Sequence, residues 1–384
     1  MDRHETLDGM RRFPPTPITR LVDEAPLYNL GESYCQELTL DDLVGSGSSD
    51  GADRLSQIRL GYRTSAGEGE LRRLIAANAG VADDQVLVTA GAASALFLLG
   101  LLLGDGDEEI VVVQPCFPPT LAALRGIDAR VVTTQLRFED GYRLDLAALS
   151  QRLNGRTRLV MLASPQNPSG VVFAEAEIEQ LLAAMSRRCP EALLLVDEVY
   201  RESVYGQAPV PASFASRSPR ILTCASLSKS HGAAGLRIGW LTVQDPELYD
   251  QLRLAKFNAA ISCGALDEVL AAELLKRADG LLAPRRAFLA EALAVVETWV
   301  QSHSDVLRWV RPDAGAICCI QLDPATFGQR GMERFYAALA ERQTSVAPGE
   351  WFGDSANVFR LGFGYEPMDK LKTGLEMISD ALRA

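Results

Sequence analysis

Histidine is scarce: the 384 residues contain only three, far apart. The seven cysteines, at positions 35, 116, 189, 224, 263, 318 and 319, form no Cys-x-x-Cys pair. Structural zinc sites draw on closely spaced thiolates and imidazoles, so no metal site is expected. Scattered thiols fit a reducing compartment better than a disulfide framework. The chain also lacks a basic excess. Its 38 Lys and Arg face 50 Asp and Glu, a formal charge of −12, which disfavours a nucleic-acid surface. The most apolar run, residues 92–103, is too short to span a bilayer. The start, Met1-Asp2-Arg3-His4-Glu5-Thr6, has no apolar h-region of a secretory signal. There is no internal repeat and no block of like charge. These absences lead us to expect a cytoplasmic protein with no metal and no nucleic-acid or membrane partner.

Apolar residues make up 47% and charged residues 23%, the balance of a globular enzyme with room for a large domain and a smaller one. Residues 1–30 are proline-rich and read as an extended arm, and the Gly/Ser stretch 45–51 reads as a mobile loop. A helical pattern starts at Glu68 and stops near Gly80. Residues 86–88 form a short strand, followed by Gly91 and an apolar helix from Ala92. Such a strand–turn–helix junction leaves backbone N–H groups free at a helix N-terminus, a place that favours an anion.

Four continuous apolar runs follow, at 110–113, 159–163, 192–196 and 221–225. They fit strands of a parallel sheet covered on both faces, and helical stretches between them make βαβ units. Each is followed within a few residues by a group suited to a pyridine cofactor: Phe117, Asn167, Asp197 and Lys229. In open α/β sheets ligands sit outside the carboxyl ends of the strands. From 264 to 304 the pattern is mostly helical, with a break expected near Gly280 and Pro284. Strands at 316–322 and 358–363 and helices at 332–342 and 368–382 read as a small α+β domain. The expected fold class is α/β, a large domain with a mostly parallel central sheet plus a small α+β domain. The boundaries are 1–50 for the arm and part of the small domain, 51–284 for the large domain and 285–384 for the small one.

The stretch Ser226-Leu227-Ser228-Lys229-Ser230-His231-Gly232-Ala233-Ala234-Gly235-Leu236-Arg237 carries the chemistry. Two serine hydroxyls precede a lysine at three residues and one, and an arginine follows it at eight. A planar arginine fork and serine hydroxyls suit a phosphate. A lysine beside a phosphate site can form an imine with a carbonyl cofactor. A loop lysine and a surface arginine are the plain alternatives, which the joint spacing disfavours.

The stretch resembles the lysine segment of class I/II aminotransferases, the fold type I enzymes that use pyridoxal 5'-phosphate (PLP). The resemblance covers about residues 58–384. It implies that Lys229 holds the cofactor and moves a proton, and that Ser226, Ser228 and Arg237 hold the phosphate with Gly91, Ala92 and Ala93. Asp197-Glu198-Val199-Tyr200 matches the family's Asp-x-x-Tyr, which implies Asp197 at the pyridine nitrogen and Tyr200 at the phenolic oxygen. Their plain alternatives are a helix cap and a core tyrosine. Asn167, in Asn167-Pro168-Ser169-Gly170, would bond the same oxygen, though the motif alone is a turn signal. Phe117 would stack on the ring, although a phenylalanine there is more often core. The resemblance also implies that the Gln114-Pro115 and Asn167-Pro168 bonds are cis.

Tyr62, in Tyr62-Arg63-Thr64-Ser65-Ala66-Gly67-Glu68-Gly69-Glu70-Leu71-Arg72, matches a family tyrosine that reaches the neighbouring subunit's phosphate, so a homodimer with shared sites is implied. Arg360, in Arg360-Leu361-Gly362-Phe363, is a lone charge in an apolar strand and needs a partner; the family match makes that partner the substrate α-carboxylate. The arm departs from the family pattern at Asn29-Leu30-Gly31-Glu32-Ser33-Tyr34-Cys35. There it is similar to a branch that cyclises an arginine derivative. Gly31 and Glu32 are therefore assigned to the substrate, with a solvated surface acid as the alternative for Glu32. The run at Lys256 offers no confident basic residue for a second carboxylate. The implied activity is amino-group transfer between an L-amino acid and a 2-oxo acid. A PLP-dependent cyclase or lyase acting on an arginine-like amino acid and a non-catalytic PLP-fold protein are the alternatives.

Overall fold

The computed structural model describes residues 13, 16–44, 55–104 and 106–383. The loop expected at 45–51, and the start at 1–6, lie outside them. In chain order the strands are β1 (Tyr28–Asn29), β2 (Val86–Thr89), β3 (Glu109–Gln114), β4 (Arg130–Gln135), β5 (Thr157–Ala163), β6 (Leu193–Asp197), β7 (Ile221–Ser226), β8 (Gly239–Thr242), β9 (Leu307–Val310), β10 (Ile317–Leu322), β11 (Thr344–Ser345), β12 (Ala347–Pro348) and β13 (Val358–Gly362).

The large sheet has the order β2-β8-β7-β6-β5-β3-β4. Only β8 runs against its neighbours, so six strands end along one edge. The apolar runs behave as two-faced strands should. Along β3, Val111 and Val113 face one core cluster while Ile110 and Val112 face the other. Val160 and Leu162 on β5 divide from Leu159 and Met161 in the same way. Successive side chains of a strand point to opposite faces, and helices cover both.

The helix Gly69–Ala79 starts and stops where its sequence directs. The Glu68 carboxylate accepts from Leu71 N at its start, and Gly80 closes it in the left-handed region at φ 71°. The expected break near Gly280 and Pro284 is not there. The helices Ala265–Lys276 and Ala278–Ser302 part at Arg277. Pro284 sits inside the second, where its missing N–H leaves only the Gly280 carbonyl without its helical donor.

A second, antiparallel sheet has the order β12-β13-β10-β9. It packs with the long helix Ala278–Ser302 and the helices Gln329–Glu341 and Met368–Leu382 in one core. The arm joins the two parts. Its proline-rich start, read as irregular, contains the short turns Pro17–Thr19 and Arg20–Asp23. Further on, β1 pairs in parallel with β11, and Leu30 is fully buried in the second core. Gly362 N donates to Leu30 O at 2.8 Å, Cys35 N to Lys229 O at 3.1 Å and Leu38 N to Gly232 O at 2.9 Å. A side chain at Gly362 would collide with the Glu32 carbonyl, so a glycine lets the arm lie against β13.

Candidate active site

A cavity of about 920 Å³ opens along the edge where the six strands end. Its floor follows from the register. Asp197, the last residue of β6, stands opposite Ala163 of β5 and Cys224 of β7. Asn167 follows β5 by four residues, and Phe117 and Lys229 follow β3 and β7 by three. Lys229, Asp197, Asn167, Tyr200, Phe117, Ser226, Ser228, Arg237, Ala92, Ala93 and Glu32 all line the cavity. Gly91 and Arg360 stand behind the lining. Tyr62 lies away from it, on the surface, with 83% of its area exposed. The Gln114-Pro115 and Asn167-Pro168 bonds are cis, and so is Ser164-Pro165, which sequence reading did not anticipate.

At one end β8 begins beside β2 and β7, with Gly239 opposite both Thr89 and Ser226. Gly91 adopts φ 77°, and a side chain there would strike Arg237 Nη2. The helix Ala92–Leu103 therefore presents its free N-terminal amides to the arginine end of the cavity. Arg237 Nη1 donates to Ala234 O at 2.9 Å and reaches Ser228 Oγ at 3.5 Å. Its guanidinium is in no ion pair among the described residues.

At the centre, burial pushes the Asp197 carboxyl up to about 6, against Val199 N and Cys224, which pull it down. Burial pulls the Lys229 amine down to about 8; Glu32 and Asp197 oppose this, while Arg360 and Arg237 add to it. Lys229 Nζ donates to Ser33 Oγ at 2.9 Å and lies 5.6 Å from the Tyr34 ring centre. Burial raises the Tyr200 phenol to about 12. Its Oη makes no formed hydrogen bond, although Ser33 lies close enough to ease its ionisation.

At the other end Arg360 is 1% exposed. Its Nη1 donates to Asn167 Oδ1 at 3.0 Å and its Nη2 to Gly31 O at 2.6 Å, while Nε is unpartnered. The Phe352 ring lies 4.7 Å from the guanidinium carbon. Glu32 is no surface acid: it is 6% exposed, and burial raises its pKa against the pull of Lys229 and Arg360. Sequence reading missed Ser33 and Tyr34, which sit in a segment without periodicity. Lys256 is buried elsewhere, its Nζ donating to Ser65 O at 2.7 Å.

An unpartnered phenol, an amine of lowered basicity, an arginine without an ion pair among the described residues at a glycine-lined cradle and a carboxyl at a strand end whose pKa burial raises together fit PLP. Fold and site thus define a PLP-dependent enzyme of fold type I. The chain belongs to the class I and II aminotransferase family, whose model matches residues 28–378. Capreomycidine synthase from Streptomyces vinaceus is 30% identical over 343 residues, 86% of this chain and 83% of that one. An arginine–pyruvate transaminase from Pseudomonas aeruginosa is 31% identical over 298 residues, 74% and 72% of the two chains. Among solved structures, a PLP-dependent aminotransferase from Streptococcus suis has a TM-score of 0.86 at 25% identity, covering 97% of this chain and 98% of that one. The PLP-dependent cyclase OrfR has a TM-score of 0.84 at 25% identity over the same shares. The protein is a PLP-dependent aminotransferase that moves an amino group between an L-amino acid and a 2-oxo acid.

Proposed function

We propose that this transfer is carried out at the cavity around Lys229 by the residues that line it. The observation that carries the assignment is that one cavity brings the Lys229 amine together with the Asp197 carboxyl at a strand end and the Ser226, Ser228 and Arg237 cradle; burial lowering the amine's pKa agrees with it. When bound, PLP supplies an electron sink for the charge that develops at the substrate Cα. Ser226, Ser228, Arg237 and the amides of Gly91, Ala92 and Ala93 would hold its phosphate. Asp197 would keep its ring nitrogen protonated, and Phe117 would stack on the ring. Arg360 occupies Asn167 Oδ1, which leaves the Asn167 amide N–H groups as donors to the phenolic oxygen beside Tyr200. Lys229 Nζ would anchor the cofactor, and its amine would take the proton from the substrate Cα as general base and return it as general acid.

Arg360 is assigned to the substrate α-carboxylate, which suits its planar fork. To bind there the carboxylate must take donors now spent on Asn167 and Gly31. Gly31 and Glu32 bring the arm into the substrate site. A buried acid facing the cavity favours an amino acid with a cationic side chain, and it also keeps a second reading open, cyclisation of such a substrate. The names of two relatives, a capreomycidine synthase and an arginine–pyruvate transaminase, agree with both readings.

We infer a large unit at 51–284 and a small one at 285–384, with the helix Ala278–Ser302 running from one into the other. A homodimer is supported by the exposure of Leu60, Tyr62, Leu254, Phe257, Ile261 and Leu266, apolar side chains that a second copy would cover. We place the enzyme in the cytoplasm, where its seven free thiols stay reduced. The test is a set of donor half-reactions followed by the cofactor spectrum. Arginine-like and lysine-like donors should react faster than aspartate or leucine, and a product lacking the oxo acid would turn the assignment to cyclisation. Failure of every donor to change the spectrum would overturn the assignment to this cavity.

A further inference from the structure

Ser33 has no role in the site as described so far. It is 4% exposed, and a buried hydroxyl needs a partner. Its Oγ accepts from Lys229 Nζ at 2.9 Å, across 196 residues of sequence. The backbone on both sides of it is tied down. Arg360 Nη2 donates to Gly31 O at 2.6 Å, Gly362 N donates to Leu30 O, and Cys35 N donates to the carbonyl of Lys229 itself. The hydroxyl thus stands at a fixed place relative to the lysine backbone.

Lysine's four-carbon stem is flexible, and holding its amine in one place costs rotamer freedom. When it acts as a base, the amine is not joined to the cofactor. We propose that Ser33 is a positioning residue for Lys229, receiving the free amine and holding it in the cavity with its lone pair unspent. The bond uses one N–H of the amine and one lone pair of Oγ. The serine proton is left to point toward the nearby Tyr200 phenol.

This inference rests on Lys229 as the reacting amine, but its test does not need the cofactor. In the cofactor-free protein, acylation of Lys229 by acetic anhydride is followed against pH by peptide mass spectrometry. The wild-type midpoint should fall near about 8. The serine oxygen stabilises the ammonium more than the amine, so Ser33→Ala should lower the midpoint by about one pH unit. In the PLP-loaded enzyme Ser33→Ala should slow the donor half-reaction about tenfold with KM little changed. Ser33→Thr, which keeps the hydroxyl, should restore both. An unchanged midpoint in Ser33→Ala overturns the inference, as does a shifted midpoint without loss of rate, or a folded Ser33→Thr that behaves as Ser33→Ala. If wild type takes up no PLP, the functional assignment fails while the acylation profile still decides the role of Ser33.

Discussion

Gly91→Ala separates backbone strain from phosphate binding. Gly91 has φ 77° and ψ 165°, a region open almost only to glycine. An alanine held there costs about 1–3 kcal/mol. That strain is present with and without cofactor, so it should lower the melting temperature of both forms by a few degrees and leave affinity alone. The added methyl also meets Arg237 Nη2. The end of an arginine can swing aside at little cost to the fold, but it then leaves the proposed phosphate position. Losing one charge-assisted hydrogen bond amounts to about 1.5–3 kcal/mol, or about a 10- to 150-fold weaker Kd. Titrating the cofactor-free protein with PLP and with pyridoxal, which has no phosphate, measures this term alone. PLP should bind Gly91→Ala more weakly and pyridoxal nearly as well as wild type. Equal weakening of both ligands, or an unchanged PLP affinity, would refute the phosphate cradle.

Borohydride reduction of the yellow holoenzyme should fix the cofactor on Lys229 and on no other lysine, as read by peptide mapping. Asp197 gives a pH test with a definite sign. Its carboxyl rises from 3.8 to about 6 in the folded, cofactor-free protein, so the folded state binds the extra proton and stability falls as pH rises through that window. Melting temperatures of the cofactor-free protein should show this slope, and Asp197→Asn should remove its share. Loading with PLP should shrink the slope, because a cation then faces the carboxylate. In the loaded enzyme the same variant should slow the donor half-reaction by about 10²-fold or more. A rate close to wild type would take Asp197 away from the ring nitrogen.

The strand ends were legible because β3, β5, β6 and β7 are continuous apolar runs, which only a doubly covered sheet explains. β4 was missed because it lies at the sheet edge, where Arg130 and Gln135 are exposed and Val131, Val132 and Thr133 are only partly buried. β8 was missed because it is four residues long and follows the lysine segment directly. The arm was harder still. Its place is set by hydrogen bonds to β13 and to Lys229, hundreds of residues away, and local sequence carries no mark of such partners. Glu32 was assigned to the substrate with a surface acid as the alternative and Ser33 drew no reading, yet both are buried. Tyr62 was assigned by its motif, and on this chain it is exposed and away from the cavity.

The arm that touches Arg360 at the proposed substrate end also touches the lysine, so a change in the arm acts on both. Glu32 raises the pKa of Lys229 against burial, and its negative charge also offsets Arg360. Glu32→Gln therefore changes two things at once. It lowers the pKa of the common base, which shifts the rate for every donor in the same direction. It also removes the charge that would pair with a cationic side chain, which acts on some donors only. Absolute rates mix the two effects, but the ratio of kcat/KM between an arginine-like donor and leucine cancels the shared base. That ratio should fall toward one in Glu32→Gln. Arg360→Lys should slow both donors and leave the ratio as it was, because a point charge replaces the planar fork for a carboxylate common to all of them. A Glu32→Gln ratio equal to wild type would show that the buried acid serves only the lysine, and substrate choice would then have to lie elsewhere along the cavity.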